Sequence, residues 1–128
     1  MYKLISKGVS ERVNSYVYHV NQVHDKKSAV KFLLTIRNKK DILVKHIDLD
    51  DGIRQSEGSK ATILSATVLE ARLMNEVISR NVDQITLFGA FKGKSFLLRM
   101  NLLTWEVSII LNMKSPLKIE ELETYLFA

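Results

Sequence analysis

The chain has 128 residues, 46% of them hydrophobic and 26% charged, which suits one domain over residues 1–128 and excludes global disorder. It holds no cysteine, so a disulfide framework, a thiolate zinc site and a cysteine nucleophile are excluded, and no apolar run approaches the ~20 residues a membrane helix needs. The net charge of +5 is uneven: residues 1–45 carry ten Lys/Arg against Glu11, Asp25 and Asp41, a net of +7, and the remainder carries nine against eleven, a net of −2.

In chain order, Tyr2 to Ile5 suits a short edge strand. Val13 to Val23 alternates, with Tyr16, Tyr18 and Val20 on one face and Val17 and His19 on the other. His24 to Lys27 reads as a turn. Ala29 to Arg37 alternates again, with Val30, Phe32, Leu34 and Ile36 inward and Lys31, Thr35 and Arg37 outward. A helix over Ser28 to Asn38 is the competing reading, because Phe32, Leu33 and Ile36 also fit a helical stripe; the strand is preferred. Asn38 to Asp41 is hairpin-turn chemistry, and Ile42 to Leu49 returns as a strand.

The polar, glycine-flanked run Asp50 to Ser59 is the longest loop. Ala61 to Leu64 is a short strand running into a helix over 66–80. Ser65 caps that helix and Leu69, Leu73 and Val77 form its buried stripe, with Met74 and Ile78 extending the arc. Gln84 to Phe91 and Ser95 to Asn101 are strands joined by a tight turn at Lys92-Gly93-Lys94. Leu102 to Thr104 turns the chain into a further strand over Trp105 to Asn112. Pro116 suits the start of a last helix carrying Leu117, Ile119, Leu122 and Leu126. The expected fold class is α+β: antiparallel sheets with two helices, in a pseudo-repeat of β-strands followed by an α-helix. Phe32-Leu33-Leu34 echoes Phe96-Leu97-Leu98, and Thr62 to Ser65 before one helix echoes Ile109 to Asn112 before the other.

Chemical motifs are sparse. Gly89 to Ser95 falls one residue short of a phosphate loop and leads into a strand rather than a helix, so it reads as a hairpin turn. His46, Asp48, Asp50 and Asp51 lack the spacing of a calcium loop or a helical histidine pair. The order of elements up to Gln84–Ala90 is similar to the first half of the ribonuclease H arrangement. The carboxylates that its two metal ions need would fall near Val20, Leu64 and Ala90, and none of these binds a cation. Three scattered histidines make no Ser-His-Asp pattern, and Trp105 and the Phe residues at strand spacing read as core. No catalytic constellation is complete, and no cofactor or metal is expected.

What remains is a basic, non-enzymatic surface. Lys31 and Arg37 point outward, Lys39 and Lys40 crown one turn, Lys92 and Lys94 another, and Arg99 is the outward residue of its strand. Tyr16 and Tyr18 share a strand face that can stack bases. A basic half of this kind suits a polyanion, nucleic acid first. The C-terminal Tyr125-Leu126-Phe127 reads as an exposed patch that would make a homo-oligomer.

Thr62-Ile63-Leu64-Ser65-Ala66-Thr67 running into Leu73, and the order of elements from Ser95 to Leu126, resemble the Whirly and Pur-alpha group of single-stranded nucleic acid binders. The Lys-Gly-Lys-Ala-Ala-Leu-Ser signature of plant Whirly proteins is not present, and Ser6 to Ser10 is at best its remnant. The resemblance implies helices packed on one side and strands that offer basic and aromatic groups to a single strand. The alternative is a protein-interaction module, a viral or accessory inhibitor or adaptor, whose basic half faces an acidic protein. The N-terminus lacks the apolar stretch of a signal peptide, so an intracellular setting without a membrane partner is expected.

Overall fold

The computed structural model describes residues 3–9, 15–21, 23–50, 59–62, 70–71, 73–79, 82–115 and 117–127. Among these residues seven strands form one sheet: β1 (Lys3–Val9), β2 (Ser15–Asn21), β3 (Ile42–Asp50), β4 (Ser59–Thr62), β5 (Gln84–Phe91), β6 (Lys94–Asn101) and β7 (Val107–Asn112). Their order is β1-β2-β7-β6-β5-β3-β4, and every neighbouring pair is antiparallel. Helix α1 (Lys26–Arg37) follows β2, a π-helical turn (Met74–Ile78) precedes β5, and helix α2 (Ile119–Phe127) closes the described chain. The α+β class read from the sequence therefore stands. No described helix is long and apolar enough to cross a membrane.

The strand expected over Ala29 to Arg37 is instead the helix α1. Asp25 accepts a bond from the Ser28 amide at 2.8 Å, and the Ser28 hydroxyl accepts one from the Asp25 amide at 3.2 Å, a capping box. The segment read as a turn is thus a helix start. Ala29, Phe32, Leu33 and Ile36, at i, i+3, i+4 and i+7, are buried together with Val30. Topology adds a second reason. Four antiparallel steps separate β2 from β3, so the two run parallel, and parallel strands need a crossover rather than a hairpin. Asn38 to Asp41 is accordingly a helix-to-strand link, in which the Asn38 amide donates to Leu34 O at 3.1 Å and the Ile42 amide to Lys39 O at 3.3 Å. The echoing tripeptides at 32–34 and 96–98 lie in a helix and a strand respectively.

Other expected elements stand with shifted ends. The β5–β6 turn is the two-residue Lys92-Gly93, with φ of 49° and 79°, the left-handed pair that matches strand twist. Pairing of β3 with β5 slips between Val44 and His46, which lets both Val44 and Ile47 face the core. Gly89 sits opposite this bulge, and a Cβ there would collide with the Leu43 carbonyl oxygen. Ser65, Leu69 and the loop over 51–58 lie outside the described residues, as does Pro116.

One sheet face carries the core. Phe96, Leu98 and Met100 of β6, Val107, Ile109 and Leu111 of β7 and Ile85, Leu87 and Phe91 of β5 are buried there with Phe32, Leu73, Val77, Leu122 and Leu126 from the helical segments. The C-terminal patch is corrected by this packing. Leu126 is fully buried, the Tyr125 ring meets Phe91 edge-on at 5.4 Å, and Phe127 lies 5.9 Å from Phe32. Met74 does not extend the buried arc of its helical segment: it is 41% exposed.

Candidate nucleic-acid interface

Four of the expected lysines come together at one end of the sheet. Helix α1 delivers Lys39 and Lys40 to the start of β3, where Ile42 pairs with Phe91 of β5. The next residue, Lys92, donates its amide to Asp41 O at 3.1 Å, so the β5–β6 turn abuts that link. Lys94 lies across a hollow of about 370 Å³ from Lys114, which follows β7. Lys114 escaped the sequence reading because only the β6–β7 pairing brings it beside Lys94. Lys40, Lys92, Lys94 and Lys114 are exposed. The Lys92 ammonium lies 3.6 Å from the centre of the Tyr125 ring, a cation–π contact that fixes its position without neutralising it.

The other expected residues scatter. Arg37 is half-buried in the last turn of α1, two residues before Lys39, where a cation complements the helix dipole. Lys31 is exposed on α1 but borders a groove with Ile78, away from the basic end. Arg99 is exposed on the sheet face opposite the core.

Tyr16 and Tyr18 are corrected. Their face of β2 is the core face, where Tyr16 is half-buried and Tyr18 is 0% exposed. The Tyr18 hydroxyl donates to Leu117 O at 2.9 Å and accepts from the Leu117 amide at 2.9 Å, tying β2 to the approach of α2. It cannot stack on a base. Burial pushes its pKa above the ordinary 10.0, further raised by Tyr16 and Glu121 and opposed only by the Leu117 bond. A raised pKa means the unfolded chain ionises first. Stability from Tyr18 is therefore complete below pH ~10 and falls as pH rises through the higher folded value. Tyr18→Phe is expected to lose about 1 kcal/mol at neutral pH and to flatten the alkaline decline in urea midpoint. Equal declines between pH 9 and 11 for both proteins would refute this role.

The aromatic group on the sheet face opposite the core is Phe88, half-buried there, where the sequence reads it as core. Cross-strand register lines up His46, Phe88, Leu97, Ile110 and Val17 in one row across β3, β5, β6, β7 and β2. The His46 and Phe88 rings stack at 4.2 Å with planes 17° apart. The next row, away from the basic end, holds Asp48, Thr86, Arg99, Ser108 and His19. Ser108 Oγ lies 3.2 Å from His19 Nδ1, which orders that end of the row. Asp48 Oδ1 is buried with no hydrogen-bond partner among the described residues. No group of three His, Asp or Glu able to hold a metal ion occurs among the described residues.

The result is a row of half-buried aromatic and aliphatic side chains with a more polar row beside it and lysines at the sheet end. Lysines stand at its end, the half-buried Phe88–His46 pair lies within it, and the exposed Arg99 lies one row further in. Comparison with protein-family models, with curated proteins and with solved structures finds no match.

Proposed function

We propose that the protein is a non-catalytic binder of single-stranded DNA or RNA. The observation that carries this reading is the convergence of Lys39, Lys40, Lys92, Lys94 and Lys114 beside the sheet face opposite the core, which bears the half-buried Phe88–His46 stack. Phosphates would displace counterions at the lysines, and unpaired bases would stack on the ring pair, which needs no sequence readout. A duplex keeps its bases inside and gains only the electrostatic part. The reading keeps what the likeness to the Whirly and Pur-alpha group implies, a sheet offered to a single strand, and moves the aromatic contact from the tyrosines to Phe88. A protein partner is the second reading, favoured by Leu43, which is 56% exposed on β3 close to the same lysines.

Fluorescence polarisation with labelled single- and double-stranded oligonucleotides tests it. Single strands should bind more tightly, with affinity falling linearly in log salt. Lys40→Ala combined with Lys94→Ala should lower that slope by about 1–2 units, since each single-strand phosphate contact contributes roughly 0.7. Folding stability should barely change, because exposed charges contribute little. No binding to either oligonucleotide near ~50 mM salt would sink the proposal and favour the protein partner.

A further inference from the structure

The groove between α1 and the π-helical turn belongs neither to the basic end nor to the sheet face opposite the core. It holds about 510 Å³ and is lined by Asp25, Lys26, Lys27, Ser28, Lys31 and Ile78. Lys27 and Lys31 are four residues apart, so both ammonium groups rise from one side of the helix, and both are exposed. The floor is different in kind. Ile78, the last residue of the π-helical turn, is half-buried there. A π-helical turn is uncommon and recurs at functional positions.

The chemistry of this groove selects its occupant. Lys26, Lys27 and Lys31 line the groove with the apolar Ile78, and Asp25, the one carboxylate among the described lining residues, is engaged by the Ser28 amide as the helix cap. Such a site is complementary to a ligand that carries negative charges on either side of an apolar group. A nucleic acid strand satisfies the lysines but leaves the floor empty, because none of the groove's described lining residues is aromatic and able to receive a base. An anionic bilayer meets too little apolar surface. The stripe of α1 that would have to insert, Ala29, Phe32, Leu33 and Ile36, is already buried in the core. We propose that the groove docks an acidic segment of a partner protein in which a Leu or similar side chain is flanked by Asp or Glu. The apolar side chain fills the space over Ile78, and the flanking carboxylates pair with Lys27 and Lys31.

This surface is separate from the proposed nucleic-acid interface. Lys27 stands at the start of α1 and Arg37 at its end, roughly 15 Å apart at the helical rise of about 1.5 Å per residue, and Lys39 lies beyond that end. A protein with both surfaces would carry a partner to a nucleic acid strand, or a strand to a partner. Rim charges act mainly on capture and on salt dependence, and the apolar anchor supplies residence.

The test uses the full chain and a fluorescein-labelled peptide, Asp-Glu-Leu-Asp-Glu-Leu-Asp, followed by polarisation, with a Leu-to-Ser version of the peptide as control. The wild-type protein should bind the Leu peptide at least tenfold more tightly than the Ser peptide. Lys27→Glu with Lys31→Glu should weaken the Leu peptide tenfold or more, with an unchanged circular dichroism spectrum. The Lys40→Ala, Lys94→Ala protein should bind it as wild type does. Equal binding of both peptides, or no effect of reversing Lys27 and Lys31, would overturn the proposal. So would loss of oligonucleotide binding in the Lys27→Glu, Lys31→Glu protein without loss of peptide binding, which would assign the groove to nucleic acid.

Discussion

Phe32→Ala is expected to destabilise the protein by about 3–5 kcal/mol, the range for removing a buried aromatic side chain. Phe32 is fully buried on the inner stripe of α1 and lies 5.9 Å from Phe127, so its ring joins the crossover helix to the last turn of α2. The neighbouring leucines separate the helix from the strand that the sequence favoured. In a strand Leu34 would face inward with Phe32, and Leu33 would face out. In the helix Leu33 is buried and Leu34 only half so. Leu33→Ala should therefore cost about 2–5 kcal/mol and Leu34→Ala clearly less, measured by urea denaturation. A larger loss at Leu34 would return the segment to a strand.

That segment shows why part of the fold was legible in the sequence and part was not. The β5–β6 hairpin was plain, because Lys92-Gly93 separates two runs that alternate and glycine accepts the positive φ of the turn. Over residues 29–37, by contrast, two periods fit at once. Val30, Phe32, Leu34 and Ile36 satisfy the strand, while Ala29, Phe32, Leu33 and Ile36 satisfy the helix. The local tie-breaker was the Asp25–Ser28 capping box, which resembles turn chemistry because the same residue types serve both. The decisive constraint is the parallel relation of β2 and β3, and that exists only once three other strands lie between them.

The candidate site divides along the same line. Lysines at turns were found, since a turn residue must be exposed whichever face of the sheet is covered. The aromatic partner was missed because alternation sorts a strand into two faces without naming the buried one. On β2 the face with Tyr16, Tyr18 and Val20 turned inward. On β5 Phe88 faced out, between the buried Leu87 and the close-packed Gly89. Lys114 had no local signal at all, because its neighbour Lys94 is twenty residues away and is brought near only by the pairing of β6 with β7.

Leu73→Ala should cost about 2–5 kcal/mol, the second large effect expected in the core. Leu73 is 1% exposed and immediately precedes the π-helical turn, and Val77, four residues on, is buried with it. Met74 is the next residue in the chain yet faces solvent, so Met74→Ala should cost well under half as much. The contrast fixes the rotational setting of this segment, and with it the position of Ile78 in the lysine groove. In a domain of this size a loss of about 3 kcal/mol lowers the melting temperature by roughly 10 °C, which thermal unfolding followed by circular dichroism resolves easily. Equal losses at Leu73 and Met74, or an unchanged melting temperature for Leu73→Ala, would mean that a different face of the segment meets the sheet. The apolar floor of the groove would then have to be assigned to other residues.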